Sequence, residues 1–251
     1  MIPNAISIHN LSFRYPGSAT NCFHQLNLQV AVGERFGIFG PNGAGKTTLM
    51  NCMTGLLPFK EGTIELLGNP INQNKNSINR LFGFVPQDFS FYHELSPVEN
   101  LAFFGAWSGM KKAAIKRRTE ELLEILDLAD VKDKPVQKFS GGMKRKVNLA
   151  IGVIHNPSIL FLDEPTVGVD IQTRTAIISY LKMLNSNGTT LVYTSHQLNE
   201  AEELCDQIAL INNGKIIAHN SIDLLLAEHD ARGLESLFIS LTGKKYSDPD
   251  V

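Results

Sequence analysis

Residues 36–55 read FGIFGPNGAGKTTLMNCMTG: an apolar run, a turn crowded with glycine, one lysine, two threonines, then a segment of helical character. Glycines at 37, 40, 43 and 45 leave mainly backbone N–H groups to present to a ligand. Such groups, curled at the start of a helix, form a nest for an anion, and phosphate is the guest that suits it. The stretch fits Gly-x-x-x-x-Gly-Lys-Thr at Gly40, Gly45, Lys46 and Thr47. The expected nucleotide cradle is therefore Gly40, Pro41, Asn42, Gly43, Ala44, Gly45, Lys46, Thr47 and Thr48. Its glycines permit positive φ and close backbone approach, Lys46 reaches the β and γ phosphates, and the Thr47 hydroxyl serves Mg²⁺. A strand over Arg35 to Phe39 and a helix over Lys46 to Thr54 supply the context that the motif requires. Nucleotide binding follows; which nucleotide enzyme this is does not.

A chain of 251 residues is long enough to bury a sizeable core as one large domain or two small ones. Its 43% hydrophobic content is ordinary for a globular protein, and a formal net charge of −2 implies no general pull toward nucleic acid or anionic lipid. Cys22, Cys52 and Cys205 lack metal-ligand spacing and are expected as free thiols in a reducing compartment. The longest apolar candidate, around Leu101 to Trp107, is far shorter than a membrane span. MIPNAISIHN has neither a basic n-region nor an apolar h-region. The expectation is a cytosolic chain, with no direct membrane insertion, that meets a membrane through a partner.

Outward from the phosphate loop, the first part reads as short strands: AISIHNLSFRY, LNLQVAV and RFGIFG before it, GTIELLG and LFGFVPQ after it. The middle is helical over Pro97 to Trp107, Lys112 to Leu128 and Gly141 to His155. In the second of these, Ile115, Thr119, Leu122, Leu123 and Leu126 share one face, while Lys116, Arg117, Glu120 and Glu124 point away. After Pro157 the pattern is a strand in SILFLDE, a helix over Ile171 to Asn185, a strand over Thr189 to Thr194, a short helix over Asn199 to Cys205 and a hairpin through IALINNGKIIA. Such alternation predicts an α/β core with a mainly parallel sheet, about 1–87 and 157–220, interrupted by a helical insert at about 88–156. Residues 221–251 read as two short amphipathic helices and a polar, frayed tail.

An acidic motif is needed to complete a phosphate site, because Mg²⁺ takes oxygen ligands and an attacking water needs a base. ILFLDEP supplies both: Asp163 for Mg²⁺, opposite Thr47, and Glu164 to orient and deprotonate water. FSGGMKRK, residues 139–146, opens a second helix with a serine and two glycines. Ser140 suits an N-cap there, and the bare N–H groups of Gly141 and Gly142 also suit an anion. One economical arrangement has this second helix start hold the γ-phosphate of a nucleotide on another copy of the chain.

With these motifs in order, the sequence resembles the nucleotide-binding subunit of an ATP-binding cassette (ABC) transporter over about residues 5–220. The resemblance rests on GPNGAGKTT, on Ser140 to Met143 against a Ser-Gly-Gly-Gln signature, on Asp163 and Glu164, on Gln87 in VPQD, on Asp170 in TVGVD and on His196 in TSHQLNEAE. It implies a P-loop NTPase core with an N-terminal antiparallel β subdomain and an inserted α-helical subdomain. Also implied are ATP and Mg²⁺ as ligands, with Gln87 beside Thr47 and Asp163 at the metal, and Glu164, Gln87 and His196 as the catalytic set. Ser140, Gly141 and Gly142 would act in trans, Asp170 in the D-loop, and Tyr15 of FRYPG on the adenine ring.

Other readings stand beside these: a strand cap for Gln87, a core histidine for His196, a helix N-cap for Asp170 and an edge-strand tyrosine for Tyr15. Met143 departs from the family glutamine, and the valines of TVGVD depart from its usual D-loop. SGGMKRK and GLESLFISLTGK resemble the export-type branch that handles drugs, lipids or polysaccharides. The family implies an integral membrane transporter subunit as partner, a homodimer or a pairing with a second cassette, and a peripheral place on the cytoplasmic face of the membrane. Phe89, Phe91, Tyr92 and Leu95 are the expected docking residues, in a groove between core and insert; the alternative is that they pack inward. The rival class, soluble ABC ATPases of translation or DNA repair, is expected to carry fused cassettes, zinc modules or coiled coils, which this sequence lacks; no nucleic-acid partner is expected.

Overall fold

The computed structural model of the protein describes residues 3–73 and 75–243. In chain order its elements are β1 (Asn4–Phe13), β2 (Phe23–Ala31), β3 (Arg35–Phe39), α1 (Lys46–Met53), β4 (Glu61–Leu66), β5 (Asn69–Pro70), α2 (Lys75–Ile78) and β6 (Phe82–Val85). There follow α3 (Pro97–Trp107), α4 (Lys112–Ile125), α5 (Gly141–Val153), β7 (Ile159–Asp163), α6 (Ile171–Ser186), β8 (Thr190–Ser195), α7 (Leu198–Leu204), β9 (Gln207–Asn212), β10 (Lys215–Ser221), α8 (Ile222–Glu228) and α9 (Leu234–Thr242). They form two compact units, one of residues 1–78 with 190–251 and one of residues 79–189.

The first unit holds an antiparallel sheet in the order β2-β1-β4-β5. Along β2 the residues alternate between buried and exposed, as a sheet with one wet face requires. A second set of strands centres on β3, flanked by β8 and β9, both parallel to it, with β10 antiparallel on β9. β8 is buried along its whole length, and so is β3 past its first residue; β8 buries Thr190, Thr194 and Ser195 together with its apolar Leu191, Val192 and Tyr193. Phe36, Ile38, Phe39, Leu49, Met50, Val192 and Leu210 make the dry centre. Near the end of the chain lie the two short helices α8 and α9; the predicted tail beyond Gly243 lies outside the described residues.

The second unit contains α3, α4 and α5 together with the parallel pair β6 and β7 and with α6. Among its described residues the stretch 88–156 is helical and carries no strand. Helix α4 stops at Ile125, short of the expected Leu128, because Asp127 takes a left-handed φ of 55° and a 3₁₀ turn follows at Ala129–Val131. α5 stops at Val153 rather than His155, since Asn156 is left-handed (φ 51°) and Pro157 cannot extend a helix. α5 lies almost backbone to backbone on β6: a Cβ at Gly83 would meet the Gly152 carbonyl oxygen at 1.9 Å, and one at Gly152 would meet Val85 at 2.6 Å. Only glycine at both positions allows this approach, and it sets the start of α5 within reach of the loop that follows β6.

Candidate active site

β3 ends at Phe39 and the chain turns through residues 40–45 into α1. Gly43 (φ 77°) and Gly45 (φ 109°) are left-handed, conformations that disfavour side-chain-bearing residues. A Cβ at Gly40 would meet the Ile211 carbonyl oxygen at 2.2 Å. Gly45 occupies the N-cap of α1, and no side chain caps the helix there. The first N–H groups of α1 consequently face a turn of bare backbone, as an anion nest requires. Lys46 is 5% exposed, and its ammonium donates to the carbonyls of Gly40 (2.8 Å) and Pro41 (3.2 Å). Thr47 is exposed on the same turn, whereas Thr48 is buried and its hydroxyl lies 2.9 Å from the Tyr15 hydroxyl. Tyr15 keeps 43% of its surface exposed and stands edge-on to Phe13. In the same unit, half-buried His196 directly follows β8.

In the second unit β7 ends at Asp163, which is 2% exposed, and Glu164 follows at 6%. Glu164 has a φ of 49°, a left-handed conformation that costs a residue with a side chain about 1–3 kcal/mol. Its Oε2 accepts a hydrogen bond from Gln87 Nε2 at 3.2 Å, and its carbonyl accepts from Val167 N at 3.3 Å. Gln87 and Asp163 in this unit offer amide and carboxylate oxygens, and Thr47 in the first unit offers a hydroxyl; each is a hard donor of the kind that Mg²⁺ takes.

Ser140 and Asp170 both occupy helix N-caps. The Ser140 hydroxyl accepts from Met143 N (3.3 Å) at the start of α5. Asp170 accepts from Thr173 N (2.9 Å) and Thr173 Oγ1 (2.7 Å) at the start of α6, and these bonds hold its carboxyl below the ordinary carboxylate value. Gly142 packs against this second cap, where a Cβ would meet Thr173 Oγ1 at 2.8 Å, while at Gly141 the nearest atom would be the Gly168 oxygen at 3.9 Å. A side chain at Gly141 would therefore meet no steric block.

The residues expected at a docking surface differ in exposure. Phe91 is buried, stacked on Phe89 (centroids 5.4 Å apart) and edge-on to His93. Phe89 is half-buried under a guanidinium, while Tyr92 is exposed and joins Phe103 and Trp107 in an outward-facing aromatic row. The guanidinium belongs to Arg145, which the sequence reading passed over. It donates to the Gln87 carbonyl at 2.7 Å. Its signal was the spacing of 142, 145, 149 and 152, which puts Arg145 on the buried face of α5.

The family model described as ABC transporter matches residues 23–167. Two relatives stand out. A linearmycin resistance ATP-binding protein of Bacillus subtilis is 40% identical over 77% of this chain and 62% of its own length. A Nod factor export ATP-binding protein of Cupriavidus metallidurans is 41% identical over 79% of this chain and 67% of its own. The chain thus spans about two thirds of the length of the curated relatives it matches. Among solved structures, an ATP-binding subunit of an ABC transporter superposes with a TM-score of 0.88 at 27% identity, covering 95% of this chain and 99% of that one. A dimeric ATP-binding cassette in a post-hydrolysis state, bound to ADP and inorganic phosphate, superposes at 0.78 with 25% identity over 86% and 98%. No helix among the described residues is long and apolar enough to cross a membrane.

Proposed function

Since the chain belongs to the ABC transporter family of ATP-binding proteins, we propose that it is the ATP-hydrolysing subunit of an exporter, dimerising head to tail around two ATP molecules and driving a separate membrane subunit. The observation that carries hydrolysis over binding alone is Glu164: a carboxylate at a strand end, on a strained backbone, aligned by the Gln87 amide. A general base needs that kind of fixed orientation. Around the nucleotide, Tyr15 stacks on the base, and the N–H groups of residues 40–48 with Lys46 hold the phosphates. Ser140, Gly141 and Gly142 of a second copy hold the γ-phosphate, and His196 contacts it from the first. Asp170 supports the same junction.

Thr47, Gln87 and Asp163 would hold Mg²⁺, which supplies charge neutralisation on the phosphate oxygens. Among the described residues no group of three or more His, Cys, Asp or Glu could hold a metal ion. Glu164 accepts the proton of the attacking water, and Gln87 keeps the carboxylate aimed. The core at about 1–87 and 157–220 carries the nucleotide and the insert at about 88–156 carries the signature. The direction is outward, by likeness to relatives named for antibiotic resistance and Nod factor export. The chain then works on the cytoplasmic face, held there by its membrane subunit. The test is co-purification with an integral membrane protein together with ATP hydrolysis that Glu164→Gln removes; a chain that hydrolyses ATP but binds no membrane protein would leave the ATPase and remove the transporter.

A further inference from the structure

We propose that Arg145 is a positioning residue for hydrolysis: one guanidinium ties the backbone at Gln87 to the backbone beyond Glu164 and so keeps the Gln87 amide on the base. The inference rests on the hydrolytic reading of Glu164. Arg145 Nη1 donates to the carbonyls of Gln87 (2.7 Å) and Pro86 (3.4 Å), and Nη2 donates to the carbonyl of Val167 (3.4 Å). Val167 closes the turn that begins at Glu164, through its own N–H to the Glu164 carbonyl. Both ends of the Gln87–Glu164 hydrogen bond are therefore anchored on the same planar group.

The side chain is costly where it stands. Arg145 is 5% exposed, has no carboxylate in an ion pair with it among the described residues, and leaves Nε buried without a hydrogen-bond partner. Burial holds its pKa below the ordinary arginine value, while the charges of Asp88 and Glu164 act in the opposite direction. A leucine or methionine would fill the same volume at less cost. What the cation adds is a rigid fork: five donors in one plane reach two separated stretches of backbone at once, which the point charge of lysine cannot do. Asn148, one turn further along α5, adds a bond to the Pro86 carbonyl (3.1 Å) and accepts one from Ser90 N (3.3 Å), so α5 grips the segment 86–90 from two positions.

The guanidinium also lies over the Phe89 ring, 4.9 Å from its centroid, and Phe89 stacks on Phe91 beside exposed Tyr92.

The test uses the full chain, with its membrane subunit where turnover requires it, and compares Arg145→Met, Arg145→Lys, Gln87→Ala and the double variant Gln87→Ala/Arg145→Met, with Glu164→Gln as control. Arg145→Met should lower kcat about 10- to 100-fold, the scale of a catalytic group displaced by about an ångström, with KM for ATP near wild type. Arg145→Lys should fall between. In the Gln87→Ala background the Met substitution should cost almost nothing further, because the two act on one contact. Amide exchange at 86–91 and 164–168 should accelerate in Arg145→Met and recover in part in Arg145→Lys, whatever the turnover. Additive losses in the double variant, exchange that rises evenly across residues 79–189, or an unchanged kcat would each overturn the role. Should Arg145→Met fail to fold, Arg145→Lys decides alone: wild-type kcat and exchange overturn the proposal. A Glu164→Gln protein that turns over normally overturns the hydrolytic reading and this role together, whereas a silent Glu164→Gln beside a fully active Arg145→Met overturns only the role.

Discussion

Gln87 and Glu164 meet because each stands two residues past a paired position in adjacent parallel strands: Val85 of β6 is in register with Leu162 of β7, and the Gln87 amide donates to the Glu164 carboxylate at 3.2 Å. The strand register, set by buried apolar residues, thus fixes a polar contact at the carboxyl edge, where α/β sheets carry their ligands. Beyond that edge Glu164 departs from strand geometry, with its left-handed φ of 49°. Strain of this kind persists only where the surroundings over-determine it.

Glu164→Gln should retain ATP affinity and lose turnover by about 10²- to 10⁴-fold, because the amide cannot accept the proton of water. The substitution is close to isosteric, so the melting temperature should stay near that of wild type. Loss of one negative charge beside the γ-phosphate should let an ATP-bound dimer accumulate, seen as a doubling of mass on gel filtration. Normal turnover in this variant would move the base to another residue.

Substitutions at Tyr15 separate two roles that one side chain combines here. The hydroxyl meets Thr48 at 2.9 Å, and the exposed ring is free to stack. Tyr15→Ala should weaken ATP affinity by about 1–3 kcal/mol, while Trp should be tolerated. Tyr15→Phe should keep the affinity and cost only about 1 kcal/mol of stability through the lost hydroxyl bond. Equal affinity in the Ala and wild-type proteins, measured by titration with ATP, would return Tyr15 to a plain edge-strand residue.

What the sequence made legible was local. The phosphate loop, the strand ending in Asp163–Glu164 and the serine and aspartate helix starts at 140 and 170 are each written in a few consecutive residues, and each lies where the local pattern put it. The N-cap alternatives weighed for Ser140 and Asp170 are the contacts they make within this chain. Arg145 escaped because its role depends on α5 approaching β6 across Gly83 and Gly152, a relation between segments about 70 residues apart that no short window contains. Phe91 was open between docking and inward packing for a related reason: which of the two an apolar loop residue does depends on the ring stacked on it, here Phe89. The helix ends at Asp127 and Asn156 needed left-handed φ values at residues other than glycine, which periodicity does not register.

Acidification should destabilise the fold through His155. Burial holds its imidazole below the ordinary value of 6.5. His155 Nε2 donates to the Phe82 carbonyl at 3.0 Å, and its Nδ1 is buried without a partner, so the folded protein favours the neutral ring. The unfolded chain takes up protons near pH 6.5, the folded chain only further down. Its stabilising effect is complete above that value and shrinks as the pH falls toward the folded-state pKa, by at most about 1.4 kcal/mol per pH unit for its one proton. His155→Gln keeps a donor for the Phe82 carbonyl and should flatten the decline between about pH 7 and about pH 5 in urea unfolding. An identical slope in wild type and variant would exclude His155 as a source.

The proposed sharing of each site between two copies makes the most discriminating test. Lys46→Ala removes the charge on the phosphates, and Gly141→Asp sets a carboxylate where the γ-phosphate of the other copy should lie. Position 141 suits this purpose because a Cβ there meets nothing nearer than 3.9 Å, so the variant should fold; at Gly142 a side chain would strike Thr173 at 2.8 Å and disturb the cap of α6. Each variant alone should be inactive. In a mixed dimer the intact Lys46 of one chain faces the intact Gly141 of the other, giving one sound site and one doubly damaged site. Random exchange makes half the dimers mixed, so ATPase activity should return to about a quarter of wild type, or less where the two sites are coupled. A covalently tethered dimer with one chosen site intact isolates that coupling. Silence of the tethered dimer with both sites wild type in sequence would point to a different natural partner cassette, and recovery only when Lys46 and Gly141 are intact in the same chain would show a site completed within one copy.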